Sequence, residues 1–437
     1  MKTRTASYPP AAGRTEGALA RGAGPRRGFL SGGHFAGAVA IVLMASVFET
    51  QAKPAFFLPE RLYAAPGLEV NVYYKDVFDS VVPERYAFQA ASKKGRAERT
   101  RWCWIPTEAD AGTSVPLVIN AWDDDGIVAA VTTTVEVAAA PTDRKRPLTL
   151  ALFADSGTNC RFQDCIRDDM HAAGFAGYRP IGSRKAAHSG GVPHDGFGGY
   201  TCRTFLTHYS VSEEEIAHVQ DAAEREQLLA LGVPTKIVHD WQRGLLRSPL
   251  VQFRNGKKEL DIPAWLQTVN DGVPPDVVLI ELGVNDVFSY TGEMAELRAR
   301  IRREVIPSFD RFVDVLKPFM PKARFALTTQ PNGCSQDGFG VNYGSGWNEV
   351  QHRKIVFALN RELADFAARR QIDLVPVANA VDPFYGFLHA KVKACAVSDE
   401  LVVRDSNAVH CSEVGGRQMG NAISAWLQCR GNEFGSK

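Results

Sequence analysis

A serine and a histidine, far apart in the chain, are the side chains best placed to do chemistry. Ser156 follows the run Leu148–Phe153, in which only Thr149 is polar. Such a run predicts a strand buried on both faces of a parallel sheet, and these sheets gather their chemistry at the carboxyl ends of the strands. His410 stands just before a helix predicted over Glu413–Gln428. Because a serine hydroxyl attacks only when a neighbouring base takes its proton, the two residues together predict nucleophilic catalysis.

Two further stretches offer the hydrogen-bond donors that such a reaction needs. Gly199 lies in Val192–Thr201, whose three glycines let the backbone approach a ligand closely and present a bare N–H. Asn285 comes shortly after a buried strand predicted over Asp276–Glu281. The tetrahedral oxyanion formed during attack must be held by donors, and we expect these to be the N–H groups of Ser156 and Gly199 and the Asn285 amide.

Strands alternating with helices must position these residues. Further apolar strands are predicted at Ala323–Thr328 and Ile372–Val377, and Ile355 to Phe366 carries one apolar helix face. A capping-box pattern predicts another helix over Ser212–Leu231. This alternation indicates βαβ units and a mostly parallel sheet.

The four stretches that carry these residues resemble the four blocks of the SGNH, or GDSL, hydrolase superfamily, in the same order. They are Ala154–Thr158, Gly198–Thr201, Gly283–Asp286 and Asp405–His410. The resemblance covers roughly residues 148–430 and implies a flavodoxin-like three-layer α/β/α domain with a parallel sheet. It also implies that Ser156 is the nucleophile, His410 the base, and Gly199 and Asn285 the oxyanion donors.

The sequence departs from the family pattern around the histidine. The family places an acid three residues before it, where this chain has Asn407, and often a proline after it, where this chain has Cys411. Asp405, five residues before His410, is the nearest carboxylate. Two alternatives stay open: Asp405 orients His410, or the site is a serine–histidine dyad oriented by Asn407 or a backbone carbonyl.

Residues 1–52 have the pattern of an export signal peptide. A basic segment precedes the apolar run Phe35–Phe48, and Arg26–Leu30 resembles the twin-arginine motif of bacterial export. We therefore expect a periplasmic or extracellular protein. The alternatives are a membrane anchor that is not cleaved and a disordered basic tail.

Residues 55–138 predict a small all-β domain. Short alternating segments, separated by turn sequences such as Pro66-Gly67 and Asp123–Gly126, are spaced as in a β-sandwich. The stretch Asp110–Asp123 resembles the late strands of immunoglobulin-like or cadherin-like modules. Residues 139–147 are predicted to be a linker. The predicted hydrolase domain follows over residues 148–430.

Composition narrows the possible partners. A formal charge of +1 does not favour nucleic acid or an anionic membrane as the main partner. The eight cysteines include no C-x-x-C pair, and we expect neither a metal nor a cofactor. Their even number fits disulfides in an exported protein, with Cys160–Cys165 and Cys411–Cys429 plausible by proximity, or free buried thiols. The oligomeric state stays open.

The function that these observations favour is that of an exported serine ester hydrolase acting through an acyl-enzyme on Ser156. By analogy with exported SGNH proteins, we expect it to remove a small acyl group such as acetyl from a carbohydrate or a related small-molecule ester. Two alternatives remain: a non-catalytic glycan-binding or adhesion protein that keeps the fold, and an O-acyltransferase that uses the same serine.

Overall fold

The first part of the chain forms two β-sheets that share one apolar core, which includes Trp102, Leu117 and Val135. The computed structural model describes residues 54–142, 147–184, 191–207, 248–254, 257–431 and 433–434. The elements of this first part are β1 Arg61–Ala64, β2 Val70–Tyr73, α1 Tyr74–Val77, β3 Ala87–Ser92, β4 Arg96–Ala97, β5 Arg101–Trp104, β6 Ser114–Asp123 and β7 Gly126–Val137. One sheet has the order β1-β7-β6-β3 and the other β2-β5-β4. The immunoglobulin-like or cadherin-like assignment stays a prediction.

Buried polar contacts tie this β-region to the following part of the chain, and residues 52–437 form one compact unit. The Arg353 guanidinium donates to the backbone carbonyls of Ser80 at 2.9 Å and Phe78 at 2.7 Å. The Asn332 amide donates to Asp76 at 3.1 Å. Because a buried charged group bonds these carbonyls directly, the contacts fix the β-region against the helix that carries Arg353.

The second part is built on a parallel sheet. Its strands, with two short hairpins, are β8 Leu148–Ala154, β9 Tyr178–Ile181, β10 Asp195–Gly196, β11 Val251–Arg254, β12 Lys257–Leu260, β13 Val277–Glu281, β14 Arg324–Thr328, β15 Asp373–Val375, β16 His389–Lys393 and β17 Leu401–Asp405. The order is β10-β8-β13-β14-β15, with β9 pairing the first half of β8. Taking β9 as the second strand gives 2-1-3-4-5, the order of flavodoxin-type sheets, whose ligands bind at the carboxyl ends of the strands.

Helices cover both faces of this sheet. They are α2 Phe162–Ala172, α3 Cys202–Thr207, α4 Ile262–Asn270, α5 Val284–Val287, α6 Met294–Glu304, α7 Ile306–Leu316, α8 Gln336–Tyr343, α9 Glu349–Arg370 and α10 Glu413–Arg430. Alternate strand residues enter different cores: Phe153 packs in the core that contains α9, whereas Leu152 packs in the core that contains α10. Successive side chains of a strand point to opposite faces, so an unbroken apolar strand needs a helical layer on each side.

The predicted strands and helices of this region are present where the structure describes them. Strands β13, β14 and β15 fall within the three predicted runs, and α9 and α10 contain the two helix patterns. The predicted export segment, residues 1–52, and the predicted helix Ser212–Leu231 lie outside the described residues. Among the described helices, none has the length and apolar character to cross a membrane.

The cysteines carry free thiols, and neither disulfide expected from proximity is formed. The Cys160 thiol instead donates to the Gly157 carbonyl at 2.8 Å and contacts the side chain of Cys411. Closeness in sequence did not predict the neighbours of these cysteines, because Cys160 and Cys411 are far apart in the chain and approach one another only in the folded structure.

Candidate active site

Ser156 begins the turn that ends the central strand. The carboxylate of Asp155 accepts the Gly157 N–H at 2.8 Å, and Ser156–Cys160 form a short 3₁₀ helix. An Asp that bonds the backbone two residues on stops a strand and starts a turn. The turn leaves the Ser156 side chain half-buried in the wall of a cavity.

His410 lies against this serine. The distance from His410 Nε2 to Ser156 Oγ is 2.9 Å, and His410 Nδ1 lies 3.1 Å from Asn407 Oδ1. Asn407 Oδ1 also accepts the backbone N–H groups of Val409 at 3.2 Å and His410 at 2.9 Å. Two backbone donors pin the oxygen, so the amide cannot turn its NH₂ group toward the ring. The imidazole therefore carries its proton on Nδ1 and presents a lone pair on Nε2 to the serine.

Asp405 does not orient the histidine. Its buried carboxylate accepts the Ser335 N–H at 3.0 Å and lies 3.1 Å from His389 Nε2. Asp405 ends strand β17, which pairs with β16, and this pairing places its side chain on His389 and the loop before α8. The sequence left open Asp405 or a dyad oriented by Asn407 or a backbone carbonyl, and the structure places the Asn407 side chain, not Asp405, beside His410 Nδ1.

Gly199 lies in a tight turn at the wall of the cavity. The Tyr200 N–H donates to the Phe197 carbonyl at 3.1 Å, which closes a turn with Gly198 and Gly199 in the middle. Gly199 has φ +77°, the left-handed conformation that the third residue of a type II turn requires. Its backbone lines the same cavity as Ser156.

Asn285 also lines the cavity, but its amide is already engaged. Nδ2 donates to Asp155 Oδ2 at 2.9 Å and to the Tyr200 carbonyl at 3.1 Å. To bind an oxyanion, the amide must share one of these protons or give up one bond. Asp155 and Tyr200 thus hold Asn285 beside the serine, and Asp155 was not among the site residues inferred from the sequence.

Two buried carboxyl groups lie beneath the nucleophile turn. Burial raises the pKa of Asp155 to about 7, against the lowering effect of its bond from Gly157. Burial also raises the pKa of Glu281, and the nearby Asp155 carboxylate adds to this. A Cβ on Gly157 would lie 2.9 Å from Glu281 Oε2, so any larger residue here would force this carboxyl group to move. The Asp155 carboxyl group accepts the Gly157 N–H, and the Glu281 carboxyl group packs against Gly157, so both groups support the turn.

Burial lowers the pKa of His410 below its ordinary value of 6.5. No carboxylate of the described residues accepts from its ring to oppose this effect. The imidazole is therefore in its neutral, proton-accepting form at neutral pH, as a general base requires.

The cavity around these groups has a volume of about 510 Å³, within the range of small-molecule sites. Beyond the reacting groups its wall contains Phe288, Gln330, Tyr343 and His352. The sequence motifs do not include Phe288 or His352, and the signal for His352 was its position just before an apolar helix face. Among the described residues, no group of three or more His, Cys, Asp or Glu side chains could hold a metal ion.

Comparison with known proteins identifies the hydrolase region. Residues 230–423 match the GDSL-like lipase/acylhydrolase family. The match includes Asn285 and His410 and begins after Ser156 and Gly199. No curated protein matches the chain.

Several solved structures are similar at low identity. A carbohydrate esterase family 3 protein from Talaromyces cellulolyticus is 15% identical, with a TM-score of 0.35 over 64% of this chain and 96% of that one. A possible lipase from Chitinophaga pinensis is 11% identical, with a TM-score of 0.37 over 65% and 99%. Est24, a carbohydrate acetylesterase from Sinorhizobium meliloti, is 12% identical, with a TM-score of 0.32 over 64% and 98%. With TM-scores below 0.5, these likenesses by themselves support neither a fold nor a substrate.

The family match and the serine–histidine pair lead to the same assignment. The chain contains a region that matches the GDSL-like lipase/acylhydrolase family, and it is a carboxylic ester hydrolase of the SGNH type.

Proposed function

We propose that this enzyme is exported and removes a small acyl group, with acetyl as the first choice, from a carbohydrate. The observation that carries the esterase chemistry is the 2.9 Å contact between Ser156 Oγ and His410 Nε2. Export rests on Arg26-Arg27 and the apolar run that follows them.

The reaction follows from the protonation states of the site. Ser156 Oγ attacks the ester carbonyl while its proton moves to Nε2 of neutral His410. The carbonyl oxygen becomes an oxyanion, held by the N–H groups of Ser156 and Gly199 and by the Asn285 amide. The C–O bond to the alcohol breaks, and the alcohol leaves with the proton from His410. Water then attacks the acyl-enzyme with His410 again as the base, and the acid and free Ser156 are released.

The cavity supports a substrate larger than the acyl group. Its volume of about 510 Å³ is many times the roughly 30 Å³ that one water molecule occupies in the liquid, so it has room for the alcohol part of the ester as well. Phe288 and Tyr343 give its wall two aromatic rings, 5.4 Å apart between centroids. Aromatic rings pack well against the apolar faces of sugar rings, which supports a carbohydrate as the alcohol part.

Hydrolysis of p-nitrophenyl acetate and release of acetate from acetylated oligosaccharides test this proposal. We expect turnover of both, and none by the Ser156→Ala variant. A correctly folded wild-type protein that hydrolyses neither ester would instead favour the glycan-binding alternative. Faster release of p-nitrophenol on addition of a sugar alcohol, with acetyl transferred to that alcohol, would favour the acyltransferase.

A further inference from the structure

His352 is a buried histidine whose ring makes no hydrogen bond within the described part of the chain. Only 1% of its surface is exposed, and neither Nδ1 nor Nε2 has a hydrogen-bond partner among the described residues. Buried polar groups in folded proteins are nearly always paired, so an unpaired imidazole calls for a partner from outside the chain.

The side chain faces the catalytic cavity. His352 lines the same cavity as Ser156 and His410. Its ring lies 5.6 Å from that of Phe288 and 5.2 Å from that of Phe339, between centroids. These rings offer no strong acceptor or donor to the imidazole, and the side chain forms part of the cavity wall.

The position of His352 is fixed by its own helix. Asn348 caps the start of α9 by accepting the Gln351 N–H at 2.8 Å. The next residue, Arg353, is held by the carbonyls of Phe78 and Ser80. The residues on either side of His352 are therefore anchored, so the helix turn that carries the ring is preorganised and loses little freedom when a substrate binds.

The chemistry of the ring selects the kind of group. Burial lowers the pKa of His352 to about 3, so the ring is neutral at neutral pH. A neutral imidazole offers one N–H donor and one nitrogen acceptor. A hydroxyl group, which both donates and accepts, is the simplest match, whereas a charged group would find no opposite charge on this ring.

We propose that His352 is a specificity residue that hydrogen-bonds a hydroxyl group of the substrate ester inside the aromatic part of the cavity. This inference rests on the esterase function proposed above and extends it to the substrate: the preferred ester carries a free hydroxyl near the reacting carbonyl. On a carbohydrate this is a sugar hydroxyl beside the acylated one. A hydroxyl on the acyl chain has the same chemistry, and the two sources are separated by experiment.

Two matched pairs of esters test the proposal. The first pair is the monoacetate of trans-1,2-cyclohexanediol and cyclohexyl acetate, which differ by a hydroxyl on the alcohol. The second is p-nitrophenyl 3-hydroxybutanoate and p-nitrophenyl butanoate, which differ by a hydroxyl on the acyl chain. We expect wild-type kcat/KM to favour the hydroxylated ester roughly 10–100-fold in one pair, the effect of one buried hydrogen bond. The pair that shows the preference identifies the source.

The variants separate hydrogen bonding from shape. His352→Phe keeps a ring of similar size. It should bring the ratio of the two kcat/KM values within the pair close to one, chiefly by raising kcat/KM for the ester without the hydroxyl relative to that for the hydroxylated ester. His352→Gln keeps a donor and an acceptor and should retain part of the preference. If His352→Phe fails to fold by circular dichroism, His352→Met takes its place. Wild-type ratios close to one in both pairs, or an unchanged ratio in the apolar variant, would overturn the proposal.

If the proposed esterase function is wrong, the same esters give a result that differs from failure of the His352 proposal. If the wild type hydrolyses none of the four esters, the proposed function fails, and binding then decides the role of His352. Calorimetry on Ser156→Ala protein, with and without His352→Phe, should show tighter binding of the diol monoacetate or of p-nitrophenyl 3-hydroxybutanoate than of its apolar partner only when His352 is present. If the proteins with and without His352 showed the same preference between the two ligands of a pair, the inference would be rejected.

Discussion

Asn407 Oδ1 lies 3.1 Å from His410 Nδ1, where serine hydrolases of the triad type have a carboxylate. The neutral amide fixes the tautomer of the imidazole as a carboxylate would, because backbone donors hold its oxygen toward the ring. It does not supply the negative charge that stabilises an imidazolium. The geometry is therefore that of a serine–histidine pair with a neutral residue beside Nδ1.

Replacing Asn407 should change the pH dependence of the reaction. In the wild type, burial lowers the His410 pKa, so kcat/KM should fall on the acid side with an inflection below pH 6.5. Asn407→Asp adds a carboxylate beside Nδ1, which favours the protonated ring and should move that inflection to higher pH. Asn407→Ala removes the acceptor and should lower kcat by roughly 10–100-fold, because the ring loses its orientation. An inflection that stays in place in Asn407→Asp would mean that the two side chains do not interact during catalysis.

Asp405→Asn should leave the chemical step nearly intact. The side chain holds Ser335 and lies beside His389, and an asparagine oxygen can still accept the Ser335 N–H. We expect kcat within a few-fold of the wild type and an unchanged acid inflection, measured on p-nitrophenyl acetate. A loss of several orders of magnitude would return Asp405 to the role of the third triad member.

Asn285→Ala should lower kcat by roughly 10²–10³, the usual effect of removing one oxyanion donor. Its fold should be unchanged by circular dichroism, because the side chain is only half-buried at the cavity wall. An unchanged kcat would exclude Asn285 from the mechanism.

Asp155→Asn should act through Asn285. The Gly157 N–H binds Oδ1 of residue 155, so an asparagine there would keep its oxygen on Gly157 and turn its NH₂ toward the Asn285 amide. Two donors would then face each other, and Asn285 should leave its position. We expect a loss in kcat with little change in KM, and no further loss when Asn285→Ala is added. Additive losses would show that Asp155 has a separate role.

Asp76 should make stability depend on pH. Burial raises its pKa from 3.8 to about 7, although Arg353 and Asn332 act in the opposite direction. Between these values the folded chain keeps a proton that the unfolded chain has released, so the free energy of unfolding falls as pH rises from about 4 to 7. The side chain of the Asp76→Asn variant has no proton that is released in this pH range. Urea unfolding should therefore show the variant gaining stability relative to wild type between pH 5 and pH 8.

Asp124→Asn, in an exposed turn, is the control for the loss of one negative charge. It should change the unfolding free energy equally at both pH values. If Asp76→Asn behaved in the same way, Asp76 would not carry the buried proton.

The sequence predicted the residues whose positions depend on local pattern. Ser156 and Asn285 follow apolar strands, and parallel strands bring their carboxyl ends to one edge, so both could be placed from periodicity and block order. The partners of Asp405 could not be predicted in this way, because the β16–β17 hairpin and the loop before α8 come together only in the folded structure. His352 escaped notice for a related reason: a helix pattern indicates which side is apolar, not which residue of its first turn faces a cavity.

Covalent labelling of Ser156 tests the central claim most directly. A fluorophosphonate probe reacts with a serine only when a base has activated its hydroxyl. Mass spectrometry of wild-type protein should find the probe on Ser156, with labelling abolished in Ser156→Ala and strongly reduced in His410→Ala. Folded wild-type protein that takes up no probe, or that carries it on another residue, would contradict the assignment of Ser156 and His410 as the nucleophile and its base.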